Sequence, residues 1–385
     1  MVYRVAQLVA LIASCALAEV CEVVFINPIT DAYLKNPHNR IYDPAYAEYK
    51  GHTGTSCFRA HQVLFNERGI VLETHGDFAL VRLFGTFFTY NGLRYSEYWV
   101  PQSSYVLISD CDQTLFPVPF SWHDPVSAAN QGIITLKDSY VCPKTGFGYS
   151  AATRFIATKL PNKKAYCAVR YDPESNTNHA LIIPISYCAI QHECVADRKS
   201  YFVELLRHWV STKKIPYVWG GASCGRSVAG KRPQAIHEKL TNKDLHYWVW
   251  PHEPLPREGA DCSGIILRAA QAAGIPHFAR NTSTMLAELA RVPPAKPLEE
   301  GDLFCFTGHV MVVASLKKNT MIEAVGYLPS QYGYLHEIPI AKRFQGIKTF
   351  AELRAACERG EPIILLTKNG EPSFTIKNPA FLRME

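Results

Sequence analysis

Gly259-Ala-Asp-Cys-Ser-Gly-Ile-Ile-Leu-Arg-Ala-Ala-Gln-Ala-Ala-Gly274 decides how the rest of the chain is read. Asp261 is a residue type that caps helices. Ile265, Ile266, Ala269 and Ala273 recur at helical spacing, and Gly274 supplies the left-handed residue that ends a helix. The stretch predicts a short buried helix with Cys262 on its first turn. Backbone N–H groups point outward there, and the positive end of the helix dipole favours thiolate over thiol. Cys262 is therefore the candidate nucleophile; the plain alternative is a small buried hydrophobe.

Downstream, Gly301-Asp-Leu-Phe-Cys-Phe306 reads as a strand. Gly308-His-Val-Met-Val-Val-Ala314 and Thr320-Met-Ile-Glu-Ala-Val325 read as a hairpin turning at Leu316 to Asn319. With the turn centred near Leu316, His309 and Glu323 face each other across neighbouring strands. A slip of one residue would send Glu323 to the other face. A thiol at a helix start, a histidine at a strand start and a carboxylate beside it suit nucleophilic acyl transfer. The imidazole takes the thiol proton and returns it to the leaving amine, while the third group holds the useful tautomer.

Upstream, Phe202, Leu205, Leu206, Trp209 and Val210 form one face of a helix over 197–211, and Ile215-Pro-Tyr-Val-Trp-Gly-Gly221 follows. Gly220-Gly221 permits close backbone approach beside Trp219, and Tyr217 offers a ring that packs and a hydroxyl that can reach a partner. The stretch 222–260 has no strong period. Its aromatic half, Leu245 to Pro256 with Trp248 and Trp250, suits an ordered flap, and Gly225 to Lys243 suits a mobile loop. A further helix is expected over 281–290, and two strands around Asn369-Gly370 are expected to close the sheet.

The first half reads as two sets of short strands. Gly69 to Thr74, Phe78 to Phe84 and Tyr98 to Pro101 make one set, with turns at Gly76-Asp77 and Asn91-Gly92. Ile133 to Leu136, Thr153 to Ala157, Ala165 to Arg170 and Ala180 to Ile185 make the other, with turns at Asn162, Asp172-Pro173 and Asn176 to Asn178. Each set suggests a small antiparallel barrel. Residues 1–18 resemble a secretory signal ending at Ala16-Leu17-Ala18, and Ile12-Ala13-Ser14-Cys15 also resembles a lipoprotein box with Cys15 as the lipid anchor; a buried first strand or helix competes with both. No other apolar run is long enough to span a membrane.

Twelve cysteines suit an exported chain in which several pair, and no metal-ligand spacing is found around Cys188, His192 and Cys194 or elsewhere. No metal and no cofactor is expected. A net charge of +6, scattered, does not point to nucleic acid.

Tyr217-Val-Trp-Gly-Gly, Asp261-Cys-Ser-Gly, Gly301-Asp-Leu and Gly308-His-Val, in that order, resemble the NlpC/p60 family of bacterial cell-wall cysteine peptidases, and within it the enzymes with two preceding SH3-like barrels. The resemblance implies an α+β fold: a papain-like domain over 196–385, a helix packed on an antiparallel sheet. SH3-like β-barrels over 19–110 and 111–195 and a signal peptide over 1–18 would precede it. It implies an exported peptidoglycan hydrolase that cuts the γ-D-glutamyl to meso-diaminopimelate bond of stem peptides, with a free N-terminal L-Ala. Cys262 would be the nucleophile and His309 the base and acid. The third position, usually His, Asn or Gln, is here Glu323. Tyr217, Trp219, Asp261, Ser263 and Arg280 would bind substrate, with Asp261 meeting the free amine. Simple N-capping by Asp261, core packing by Tyr217 and a surface salt bridge for Arg280 stay open beside those roles. Ala279 and Met285 replace the family's proline and glutamine near Arg280. The functional alternatives are a catalytically degenerate wall-binding protein and an acyl or amide transferase on the same frame.

Overall fold

The computed structural model describes residues 21–34, 59–124, 132–161, 163–173, 175–189, 197–212, 215–224, 258–326 and 332–384. The signal-like segment 1–18 with Cys15, Asn162, His192 and Cys194, the loop 225–243 and the flap 245–256 lie outside the described residues.

The chain begins with strands β1 (Glu22–Phe25), β2 (Ile29–Tyr33), β3 (Arg59–Leu64), β4 (Arg68–His75) and β5 (Phe78–Leu83). A small hairpin, β6 (Phe88–Tyr90) and β7 (Leu93–Tyr95), precedes β8 (Glu97–Pro101) and β9 (Tyr105–Leu107). Seven of these pair antiparallel in the order β3-β2-β8-β5-β4-β1-β9 around Val23, Phe25, Val63, Val81, Tyr98 and Val100. The Asn91-Gly92 turn belongs to the separate β6–β7 hairpin, where both residues have positive φ. The aromatic-rich stretch there divides: Phe87 and Tyr98 are buried, while Tyr90 is 64% exposed.

A second set follows: β10 (Ile133–Leu136), β11 (Tyr140–Val141), β12 (Gly148–Tyr149), β13 (Arg154–Lys159), β14 (Ala165–Asp172), β15 (Thr177–Pro184) and β16 (Cys188–Ala189). Five pair in the order β15-β14-β13-β10-β16, around Phe65, Leu136, Tyr149, Phe155 and Ile183. Phe65 comes from the first set, so the two sheets share a core.

The last part carries helices α1 (Arg198–Thr212), α2 (Cys262–Ala273) and α3 (Thr282–Glu288), then β17 (Ala290–Arg291), β18 (Leu303–Phe306), β19 (His309–Ser315), β20 (Thr320–Ala324) and β21 (Leu335–Pro339). After these come α4 (Ile340–Arg343), α5 (Phe350–Arg359), β22 (Ile363–Leu366), β23 (Pro372–Ile376) and β24 (Ala380–Arg383). Six strands form one antiparallel sheet, β17-β24-β18-β19-β20-β21. Alternation along the strands explains why these read as unbroken apolar runs. Leu303, Cys305, Val310, Val312 and Ile322 face α1 and α2, whereas Phe304, Phe306, Met311, Val313 and Met321 face α4, α5 and β22–β23. Both faces are covered, not one.

Two expectations change. The strands around Asn369-Gly370, β22 and β23, form a separate two-stranded sheet, and it is β24 that enters the six-stranded sheet between β17 and β18. No disulfide joins the cysteines of the described residues, so no pairing anticipated for an exported chain forms among them. Among the same residues no helix is long and apolar enough to cross a membrane.

The Gly301-Asp302 motif is structural. Gly301 has φ +93°, and a Cβ there would meet the Lys199 side chain at 2.7 Å. Asp302, fully buried, accepts from Lys199 Nζ at 2.7 Å and from Arg383 Nε and Nη2 at 2.9 and 2.8 Å. Burial would raise its carboxyl; the Arg383 and Lys199 hydrogen bonds outweigh that and lower it. This cluster ties α1, β18 and β24 together.

Candidate active site

α2 starts as its sequence dictates. The Asp261 carboxylate accepts from the N–H groups of Ser263 (3.0 Å) and Gly264 (2.7 Å), and Gly274 closes the helix at φ 73°. Two glycine motifs make the approach possible. Asp261 N–H donates to Gly221 O at 3.0 Å, and a Cβ at Gly264 would lie 2.1 Å from the same oxygen. Trp-Gly-Gly and Asp-Cys-Ser-Gly are thus two halves of one backbone contact.

Arg280 does not make the surface salt bridge that its position allowed. It is 3% exposed and grips Asp261 with both arms, Nη1 to Oδ1 at 2.9 Å and Nη2 to Oδ2 at 2.7 Å, while also donating to Ser263 Oγ. Ser263 Oγ and Gly220 N–H donate to the same carboxylate at 2.9 and 3.1 Å. Burial would weaken the guanidinium charge, and the Asp261 carboxylate more than restores it. Asp261 is therefore N-cap and ion-pair partner at once, with both oxygens occupied.

Cys262 is 7% exposed, and the Val310 N–H is directed at its sulfur, so the thiol abuts the start of β19. Its electrostatics overturn the thiolate expected of a helix start. Burial, followed by the neighbouring Asp261 carboxylate, pushes the thiol up; the Val310 N–H and Arg280 only partly offset this. A thiol of that kind needs a base to become a nucleophile.

His309 stands one residue before Val310. Its Nε2 meets Glu323 Oε2 at 2.6 Å, which leaves Nδ1 as the ring nitrogen free of that bond. The β19–β20 register pairs Val312 with Ile322, so Glu323 lies opposite Met311 and diagonal to His309. The shift from the expected pairing is two residues, not one, and a shift of two keeps the face. On its other side Glu323 pairs with His336 of β21. Its Oε1 lies 2.8 Å from Arg343 Nε and 3.3 Å from His336 Nε2. Burial would raise this carboxyl; the Arg343 guanidinium, the His309 hydrogen bond and the nearby His336 ring hold it well below the usual range.

The structure thus joins His309 and Glu323 as one buried pair and gathers Asp261, Ser263 and Arg280 as one buried cluster beside the Cys262 thiol, which meets the strand of His309 at Val310 N–H. Tyr217 is buried in the core that also contains Cys262, and Trp219 packs half-buried against it. Sequence reading missed His336 and Arg343. The first lies in a legible strand, Leu335-His-Glu-Ile338, but only the register shows that it meets Glu323.

The site also rests on the first sheet. Arg268 of α2, fully buried, donates to Glu67 Oε1 at 2.5 Å, to Gln62 O at 2.6 Å and to Ala222 O at 2.7 Å. Arg59 Nε reaches Trp219 O at 2.9 Å, and Gln62 Oε1 accepts from Ala222 N–H at 3.0 Å. Phe87 and Arg280 exchange backbone contact through an N–H to O bond of 2.7 Å. The turn that packs on Gly264 is therefore held by residues of the β-rich half.

Among solved structures, the chain is similar to an NlpC/P60 family protein from Bacillus cereus. Identity is 13%, 83% of this chain and 94% of that chain are covered, and the TM-score is 0.51. The two share a fold. NlpC2 from Trichomonas vaginalis is 12% identical over 95% of this chain and 98% of its own, at a TM-score of 0.33. The peptidoglycan hydrolase RipB from Mycobacterium tuberculosis is 24% identical over 38% of this chain and 62% of its own, at 0.24. The sequence matches no family model and no curated protein. The shared fold extends over most of this chain, β-rich half included.

Proposed function

We propose that the chain is an NlpC/p60-type cysteine peptidase acting on peptidoglycan stem peptides. The observation that carries this is the 2.6 Å His309–Glu323 pair, standing where the start of β19 meets the Cys262 end of α2. The fold shared with the Bacillus protein supports it.

In the reaction His309 takes the Cys262 proton, and the thiolate adds to the substrate amide carbonyl. Asp261 occupies the Ser263 and Gly264 N–H groups and its carbonyl that of Ile265, so the Cys262 N–H is the first-turn donor for the oxyanion. The imidazolium protonates the departing amine as the C–N bond breaks, leaving a thioester on Cys262. Water, deprotonated by His309, then adds to the thioester and releases the acid and the thiol. Glu323 keeps the ring oriented throughout.

The bond we assign joins γ-D-glutamyl to meso-diaminopimelate, in peptides with a free N-terminal L-Ala. Tyr217, Trp219, Asp261, Ser263 and Arg280 form the peptide-binding wall. Because Asp261 is already capped and paired, an incoming ammonium would share it with Arg280. In this reading 1–18 exports the chain to the cell envelope, 19–110 and 111–195 are SH3-like modules, and 196–385 is the peptidase.

The test is mass spectrometry of L-Ala-γ-D-Glu-diaminopimelate peptides, free and N-acetylated, after incubation with the protein. Cleavage of the free peptide with the acetylated one spared is expected, and Cys262→Ala should cut neither. If neither peptide is cut while the protein sediments with purified wall, the wall-binding reading replaces this one. Transfer of the acyl group to an added amine in preference to water would make the chain a transferase.

A further inference from the structure

A bare carboxylate 2.6 Å from an imidazole stabilises its protonated form strongly, because little water screens the pair. Glu323 has a side chain with no solvent exposure, and that of His309 is 10% exposed. Such a ring would hold the proton that it must give to the leaving amine. The charge of Glu323 is not bare, however. Arg343 Nε lies 2.8 Å from Oε1, the oxygen that His309 does not use, and the Arg343 side chain is 5% exposed. α4 delivers this guanidinium from the sheet face opposite α2, and a hydrogen bond from Nη1 to Leu366 O fixes it.

His336 completes the surround. Its Nδ1 faces the Tyr334 carbonyl at 3.0 Å, an atom that only accepts, so Nδ1 carries the proton. Nε2, 3.3 Å from Glu323 Oε1, then donates only when the ring is charged. Tyr332 stacks on this ring at 3.9 Å. Among the described residues, the titratable and charged groups that act on the His309–Glu323 pair are thus His336 on β21, Tyr332 before it and Arg343 on α4, while the Cys262 thiol meets β19 one residue on, at Val310 N–H. Among the described residues, only Arg343 is a fixed cation touching Glu323.

We propose that Arg343 is a positioning residue of the reaction: it cancels the Glu323 charge and holds Oε1, so that Oε2 orients His309 as a neutral acceptor would. Arg343 touches neither substrate nor thiol and acts through Glu323. The inference rests on the peptidase reading for its consequence in catalysis, and on geometry alone for the electrostatic coupling.

The experiment follows the His309 ring by NMR titration in the full chain carrying Cys262→Ala, a background that needs no substrate. His309→Gln assigns the signal. Arg343→Met should move the ring's midpoint up by about one pH unit relative to the parent, since an unscreened carboxylate favours the imidazolium. Arg343→Lys, which keeps the charge, should titrate with the parent, and Arg343→Met/Glu323→Gln, which removes both charges, should titrate at or below it. With Cys262 restored, the acidic limb of kcat/KM, where His309 must lose its proton to act as base, should move up by the same amount in Arg343→Met. An unmoved midpoint in folded Arg343→Met would overturn the proposal. If that variant does not fold, a midpoint above the parent's in the double variant would overturn it. Ring shifts as expected without peptide cleavage would sustain the coupling and remove the hydrolase reading.

Discussion

Replacing Arg280 by methionine is expected to destabilise the protein by about 3–5 kcal/mol, the range for leaving one member of a buried ion pair without its partner. The Arg280 and Asp261 side chains are 4% and 12% exposed, so water cannot take over the guanidinium's bonds. The loss would reach the thiol directly. Asp261 caps the helix that starts at Cys262, and a carboxylate relieved of its cation pushes the thiol further up. Urea unfolding of Arg280→Met and of Arg280→Met/Asp261→Asn checks this. The double variant should recover part of the loss, because asparagine still caps the helix and carries no charge to strand. A loss below about 1 kcal/mol in the single variant would mean that the pair is not the keystone described above.

Glu323→Gln should lower kcat by about 10³–10⁴-fold, with KM changed by less than about threefold. The reasoning is one of tautomers. Glu323 accepts at 2.6 Å from His309 Nε2, which places the proton there and leaves Nδ1 to act as base. A glutamine amide can turn its NH2 toward Nε2 and select the opposite tautomer. Unchanged turnover would remove Glu323 from the catalytic set. The same substitution predicts a stability effect with a definite sign. Glu323 is held below its ordinary value of 4.5 in the folded chain. It therefore contributes stability in full above about pH 4.5, and that contribution is lost as pH falls through the lower folded value. Thermal unfolding from pH 7 down to pH 3 should fall less steeply for Glu323→Gln than for the parent.

What the sequence made legible is what local chemistry determines. The cap, apolar stripe and glycine stop of α2 lie within one short stretch, and all three are found as read. The β19–β20 hairpin was legible too. Its pairing beyond the one-residue bulge between Val313 and Ser315 lies two residues from the one expected, and face parity survived, so His309 and Glu323 still meet. A capping box at Thr349 and Glu352 with Gly360 as stop also announces α5, though apolar periodicity alone did not draw attention to it.

The remainder depends on contacts between distant parts of the chain. β24 enters the sheet beside β18, and nothing in Ala380 to Arg383 names that neighbour. Arg268 sits in an otherwise apolar helix because Glu67 and Gln62 O meet it from the first sheet. Arg343 lies on a four-residue helix whose one distinguishing feature is what it reaches. The raised thiol belongs here as well. The helix dipole is readable from Asp261 to Gly264, but the burial that outweighs it is supplied by the surrounding elements.

The central claim is that Cys262 carries the acyl group, and rapid acid quench with intact-protein mass spectrometry tests it most directly. Mixing the protein with L-Ala-γ-D-Glu-diaminopimelate and quenching within the first turnover should trap an added L-Ala-γ-D-glutamyl group. Peptide mapping should place it on Cys262, and Cys262→Ala should show neither adduct nor product. Cleavage that persists in Cys262→Ala, or an acyl group mapped to another side chain, would contradict the account.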